Sequence, residues 1–311
     1  MILVAGSANL DFVVRAAHIP GPGETVLGHA FKTYPGGKGA NQAVAGARAG
    51  GATIHMLLAL GDDAYARPLE DSLQSAGVQL HVLRSEQEPT GTAFICVSDD
   101  AENAITVAPG ANKLLAAEHL PPLQGYSHLL MQLETPLSTV TAYARNARAA
   151  NVKVVINAAP AQALPAELLA LTDILVVNEG ELAAIAVSDA GIAACLDIVK
   201  VPIVVVTLGA RGCCARVGTD HLLQNAFAVK PVDTTGAGDT FCGVLVAALD
   251  GHLDLAAALL QASAAGALAC LQAGAQSSIP AAQAVADLVR KDCPSPDTSA
   301  LRSYCGLPAT A

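Results

Sequence analysis

Short runs of β-branched and other apolar residues recur along this chain and alternate with longer stretches rich in alanine. Ile2–Ala5, Ile54–Leu58, His128–Met131, Val152–Ile156, Ile174–Val177 and Ile203–Thr207 are almost wholly apolar, where a half-exposed strand would alternate polar and apolar positions. Strands of this kind are buried on both faces, and the faces need covers. Ala40–Ala49, Ala64–Ala76 and Pro136–Ala149 have the length and composition of covering helices, and Gly238–Leu249, Leu255–Ala269 and Ala281–Arg290 continue the series. The alternation predicts an α/β fold with βαβ units: a doubly wound, mostly parallel sheet with helices on both faces.

Two segments break the rhythm. Phe12–Tyr34 and Gly91–Val107 hold short polar-alternating strands and turn signals, Pro20-Gly21-Pro22-Gly23 and Asp99-Asp100, with no helical pattern. Both leave the core after a strand and return to it, which predicts one small β-sheet standing off the main domain as a lid. Residues 1–290 read as a single domain, and 291–311 as a loosely packed tail to which the sequence assigns no role.

Charge and composition exclude several functions. The chain has 311 residues and a net charge of −10, no tryptophan and 3% aromatic residues, and it lacks a basic run. Nucleic acid and anionic membrane surfaces would be repelled, so any bound anion must be held by local backbone. Leu255 to Ala286 contains no charged residue, yet Gln261, Gln272, Gln276 and Pro280 interrupt it and Gly274 breaks it, so two packed helices are expected rather than a membrane span. Met1–Gly6 carries no basic flank of the signal-peptide kind, which points to a cytoplasmic protein. Eight cysteines form no C-x-x-C pair and read as reduced core residues, and the eight histidines show no H-x-x-x-H spacing that would argue for zinc.

The strongest chemical signal is Asp233-Thr234-Thr235-Gly236-Ala237-Gly238-Asp239-Thr240-Phe241, which runs directly into an apolar helix. Gly236 and Gly238 permit conformations that aim consecutive N–H groups at one spot, and the helix start adds the positive end of its dipole. With Ala237 they would form an anion hole for phosphate oxygens. Asp239, in the first helical turn beside that hole, could accept the proton of a hydroxyl attacking phosphorus. The plain alternative is an N-terminal cap with a glycine turn. A second signal, Pro35-Gly36-Gly37-Lys38-Gly39-Ala40-Asn41-Gln42-Ala43, lies between the expected lid and a helix. It is not a phosphate-binding loop of the G-x-x-x-x-G-K-[ST] kind, because Gly39 follows Lys38.

These two segments, in this order and well separated, resemble the two signatures of the ribokinase-like family of carbohydrate kinases. Asn9-Leu10-Asp11, Pro22-Gly23-Glu24-Thr25, Met131-Gln132-Leu133-Glu134, Asn178-Glu179-Gly180-Glu181 and Thr207-Leu208-Gly209-Ala210-Arg211-Gly212 extend the resemblance over roughly Ile2 to Arg290. One departure is visible, Asn157-Ala158-Ala159-Pro160 in place of the usual Asn-Pro-Ala-Pro. The resemblance implies ATP-dependent phosphorylation of D-ribose at its 5-hydroxyl, with ADP as the second product and Asp239 as base. It implies that Asn9, Asp11, Gly37, Lys38, Asn41 and Glu134 bind the sugar together with Asp239. It further implies that Asn178, Thr207, Leu208, Gly209, Ala210, Arg211, Gly212 and Gly238 bind the nucleotide, and that Glu181 holds Mg²⁺ through water. Asp233, Thr235, Ala269, Gln272, Gly274 and Ser278 match positions that cage a monovalent cation, K⁺ above others, and the lid strands imply a homodimer. A related kinase for adenosine, deoxyribose or a hexose, and a non-catalytic sugar-binding regulator, are the alternatives.

Overall fold

The computed structural model describes residues 1–100 and 102–308. One residue of the expected lid, Ala101, and the last three of the tail, 309–311, lie outside the described residues. The strands are β1 (Ile2–Ala5), β2 (Asn9–Ala16), β3 (Ala30–Gly36), β4 (Ile54–Gly61), β5 (Gln79–Ser85), β6 (Gly91–Ser98), β7 (Asn103–Ala108), β8 (His128–Met131), β9 (Lys153–Asn157), β10 (Ile174–Asn178), β11 (Ile203–Thr207), β12 (Gly212–Val217) and β13 (Asp220–Asn225). The helices are α1 (Lys38–Arg48), α2 (Ala66–Ser75), α3 (Leu137–Ala149), α4 (Ala166–Leu171), α5 (Glu179–Ala186), α6 (Ile192–Ile198), α7 (Ala237–Asp250), α8 (Leu255–Ala269), α9 (Ala282–Lys291) and α10 (Ser299–Tyr304).

Nine strands form the main sheet in the order β13-β12-β11-β10-β9-β8-β1-β4-β5, parallel from β11 to β5 and antiparallel at β12 and β13. Alternation along each strand sorts its side chains onto two faces. Ile2 and Val4 join a core closed by α1, α2, α7, α8 and α9, while Leu3 and Ala5 join a second core closed by α3 to α6 and α10. Val205 against Val204 and Val206 repeats the division, which is why these strands carry unbroken apolar runs. The uncharged stretch after Leu255 is the two helices α8 and α9, and among the described residues no helix is long and apolar enough to cross a membrane.

The second sheet has the order β3-β2-β6-β7 and is the expected lid, with boundaries widened to Asn9–Gly36 and Gly91–Ala108. β2 pairs antiparallel with β3 and parallel with β6, and β7 returns antiparallel along β6.

The tail corrects the expectation. Leu301, Cys305 and Leu307 are buried in the second core, and Asn225 of β13 donates hydrogen bonds to the carbonyls of Ser295 and Asp297. The segment is packed against the outermost strand, whose free edge would otherwise be open. Its prolines and glycine suggested looseness, but three apolar side chains spaced along and after a short helix were enough to fix it.

Candidate active site

Functional side chains gather at the carboxyl ends of the parallel strands, where the lid roots and the two signature helices meet. Gly236 begins α7 with a φ of 75°, and a Cβ there would stand 2.9 Å from the Ala275 backbone, so the turn into the helix requires glycine. Further along α7, a Cβ on Gly243 would come within 2.4 Å of the Gln42 carbonyl oxygen. That close approach of α7 to α1 carries Asn41 and Gln42 to Asp239. Asn41 Nδ2 donates to Asp239 Oδ2 and Gln42 Nε2 to Asp239 Oδ1, each at 2.9 Å.

Behind these two bonds lies a buried chain of amides. Gln276 Nε2 donates to Asn41 Oδ1 at 3.1 Å, Gln132 Nε2 donates to Gln42 Oε1 at 2.6 Å, and Gln42 also donates to Asn157 Oδ1 at 2.9 Å. Polar groups held this way resist rotation, because any other rotamer leaves a buried donor or acceptor unpaired. The carboxylate of Asp239 is therefore fixed in orientation before any ligand arrives. The sequence reading named neither Gln42 nor Gln132, Asn157 or Gln276 as site residues, although all four fall inside segments it singled out.

On the lid side, Glu134 Oε2 accepts from Ser7 Oγ and from the Lys38 N–H, the latter at 3.0 Å, and Asn9 Oδ1 accepts from Asn112 Nδ2 at 2.8 Å. Burial, and then the charges of Glu134 and Asp239, push the Asp11 carboxyl up to about 7. The three carboxyl groups thus lie close enough to repel one another. The Asp239 charge raises the Lys38 ammonium above its ordinary value against the opposing effect of burial, with help from Glu134 and Glu181.

Two cavities lie along the start of α7. The smaller, about 170 Å³, is lined by Lys38, Asn157, Asn178, Glu181, Thr207, Gly236, Gly238 and Asp239. Glu181 is buried, which raises its carboxyl, and it forms a reciprocal cap with Asn178: each backbone N–H donates to the other's side chain at 2.8 Å. Glu181 therefore both caps α5 and lines the cavity. The larger cavity, about 320 Å³, is lined by Thr207, Gly209, Ala210, Gly212, Phe227, Ala237, Gly238, Phe241 and Ala267, among others.

Two side chains of the 207–212 motif point away from the cavities. Leu208 is buried among the second core's side chains, and Arg211 stacks on Tyr304, so neither lines a cavity with its neighbours in the motif. The Ala237 N–H donates to the Thr234 carbonyl at 3.2 Å within the glycine turn. Lys38 borders the smaller cavity beside Glu181 as well as the group of carboxyls near the lid.

The segments expected to cage a cation do come together. Asp233 accepts from Thr235 N through Oδ1 and from Gly274 N through Oδ2, both at 2.9 Å, and Val232 and Asp233 both donate to the Cys270 carbonyl. Burial acts to raise the Asp233 carboxyl, but these hydrogen bonds outweigh it and hold the group below its ordinary value. Ser278 Oγ donates to the Ala275 carbonyl, Ala269 is buried at the end of α8, and Gln272 is exposed. Among the described residues, no cluster of three or more His, Cys, Asp or Glu has metal-site geometry.

Comparison with known proteins points the same way. The profile described as pfkB family carbohydrate kinase matches residues 1–282. A ribokinase of Haemophilus influenzae is 39% identical over 295 residues, covering 91% of this chain and 96% of the relative, and one of Bacillus subtilis is 36% identical, covering 93% and 99%. Among solved structures, Thermotoga maritima ribokinase superposes with a TM-score of 0.86 at 33% identity, covering 93% of this chain and 99% of that one. Arabidopsis thaliana ribokinase, solved in complex with ribose and ATP, superposes with a TM-score of 0.84 at 31% identity, covering 93% and 98%.

Proposed function

The chain belongs to the pfkB family of carbohydrate kinases, and from that premise we propose that it transfers the γ-phosphoryl group of ATP to the 5-hydroxyl of D-ribose. The observation that carries this reading is Asp239, held by Asn41 and Gln42 at the glycine turn, where its charge is also felt by Asp11. A polyol presents many hydroxyl donors, and Asp11, Glu134 and Asp239 supply the acceptors. ATP spans the two cavities, its base end in the larger and its phosphates toward Gly236 and Gly238. As the hydroxyl oxygen bonds to the γ-phosphorus, its proton passes to Asp239, and the bond from phosphorus to the β–γ bridging oxygen breaks to release ADP. Lys38 and the N-terminal end of α7 offset the charge on the transferring group, and the lid keeps out water that would otherwise accept it. The decisive assay is ADP release with a panel of pentoses, hexoses and nucleosides; adenosine or a hexose outperforming ribose would reject the ribose assignment and keep the kinase.

The donor set at the smaller cavity fits Mg²⁺, since Glu181 and Asn178 offer hard oxygen atoms at its wall with room for retained water. Mg²⁺ bound there with ATP would neutralise phosphate charge. Asp233 and the carbonyl-rich segment after Cys270, which contain no Lys or Arg, suit a monovalent cation. Such an ion would hold the 233–238 loop in the orientation that receives the phosphoryl group. Losing that order would cost about 1–3 kcal/mol, or about 5- to 150-fold in rate. Potassium is expected to exceed sodium, because carbonyl cages favour the larger, more weakly hydrated ion. Titrating KCl, NaCl and a bulky organic cation at constant ionic strength tests this, and equal rates in all three would reject a functional cation site.

A homodimer through the lids is supported by the sheet's register. Asp11, Ala93 and Val107 are aligned on one face, as are Val13, Ile95 and Ile105, and Ile105 and Val107 are exposed there. A partner lid on that face would cover the apolar patch and close over the sugar, and sedimentation as a monomer at micromolar concentration would reject it. Eight free thiols, five of them buried, fit the reducing cytoplasm, which cell fractionation would test.

A further inference from the structure

The walls of the two cavities leave the sheet from neighbouring strands. Asn178 at the end of β10 and Thr207 at the end of β11 are register partners, and beyond them the chain diverges. One branch enters α5 at Glu179, while the other makes the turn Gly209–Arg211 into β12. Tyr304, on the tail helix α10, touches both branches. Its hydroxyl donates to Glu179 Oε1 at 2.8 Å, and the Arg211 guanidinium lies over its ring, 4.1 Å from the centroid. The tail that presents it is itself fixed. Asn225 Nδ2 donates to the Ser295 and Asp297 carbonyls at 2.9 and 2.8 Å, Ala193 N donates to the Cys305 carbonyl at 3.1 Å, and Leu301 and Cys305 are buried on either side. This segment lies beyond residues 1–282, which the family profile matches.

We infer that Tyr304 is a positioning residue for the nucleotide, tying the turn Gly209–Gly212 to the start of α5. Gly209, Ala210 and Gly212 line the larger cavity, and Asn178 and Glu181 line the smaller. A nucleotide that spans both cavities needs the two walls in fixed relation. With the tie in place that relation exists before binding, and without it the ligand must impose the order at the expense of affinity. The sugar touches neither branch, so its binding is spared. The inference rests on the larger cavity being the ATP site.

The experiment is steady-state kinetics of Tyr304→Phe and Tyr304→Ala, with ATP and ribose varied separately, beside melting temperatures and calorimetric ATP binding. Tyr304→Phe keeps the ring beneath Arg211 and loses only the bond to Glu179; it should raise KM for ATP about two- to threefold. Tyr304→Ala removes both contacts and should raise it about five- to tenfold. KM for ribose should hold in both variants, and Tyr304→Phe should melt with the parent. Unchanged KM for ATP in both variants, or equal rises for ATP and ribose, would overturn the role and leave the tail purely structural. Failure of the parent protein to bind ATP would overturn the site reading itself, and this inference with it.

Discussion

Asp239→Asn is expected to lower kcat by about 10²- to 10⁴-fold with a far smaller change in ribose binding, because Asp11 and Glu134 remain as acceptors and the amide oxygen still accepts. Asparagine matches aspartate in shape, but it offers one oxygen where the structure uses two. Asn41 and Gln42 both donate into this carboxylate, so the new amide must turn its NH₂ toward one of those donors and lose that bond. The substitution therefore removes the proton acceptor and slackens one tether, whereas the cavities and the Asp11 and Glu134 carboxyls stay in place. Stopped single turnovers separate the outcomes. A slow chemical step with ribose binding far less affected supports the assignment, and retention of most of the activity rejects Asp239 as the base.

A companion change tests the tether alone. Gln42→Glu keeps the length of the side chain but sets a second carboxylate against Asp239, and its amide donations to Asp239 and Asn157 are lost. kcat should fall by about tenfold or more as the base is reoriented, with a shifted pH profile that a merely destabilised fold would not produce. An unaltered profile and rate would show that orientation by Gln42 is unimportant.

What the sequence revealed, and what it hid, follows from where each residue lies. β1, β8 and β11 were legible to the residue because strands covered on both faces cannot admit polar interruptions. β5, β12 and β13 were not, since strands at the sheet's two ends mix Gln79, His81 and Arg84, or His221 and Gln224, with apolar neighbours, and such sequences read equally well as loop. The glycine turn and Asp239 were visible because their chemistry is local. The amides behind Asp239 were not, because their role exists only once α1 and α7 cross at Gly243. Leu208 and Arg211 show what a motif leaves open: the resemblance names the residues, but only the turn at Gly209 directs one side chain into the core and the other toward Tyr304.

Asp11 gives the second large effect, and its sign can be worked through. Buried beside Glu134 and Asp239, its carboxyl sits at about 7 in the folded protein against an ordinary 3.8. Between those values the folded state holds a proton that the unfolded chain has released, so stability is full at low pH and falls as pH rises through 7. Sugar binding needs the opposite form, because only the carboxylate can accept hydroxyl donors through both oxygens. Ribose affinity, measured calorimetrically without nucleotide, should therefore weaken by about tenfold per pH unit below 7 and level off above it. Asp11→Asn should raise the dissociation constant for ribose by about 10- to 100-fold at pH 8 and flatten the pH dependence. The same substitution should raise the melting temperature of the free protein by a few degrees, about 2–4 °C per kcal/mol relieved, at pH 8 but not at pH 4. Binding gained at the cost of stability in one group marks a residue retained for its ligand, since a structural carboxylate would lose both together. Ribose affinity that is constant from pH 5.5 to 8.5, or equal in parent and variant, would remove Asp11 from the sugar site.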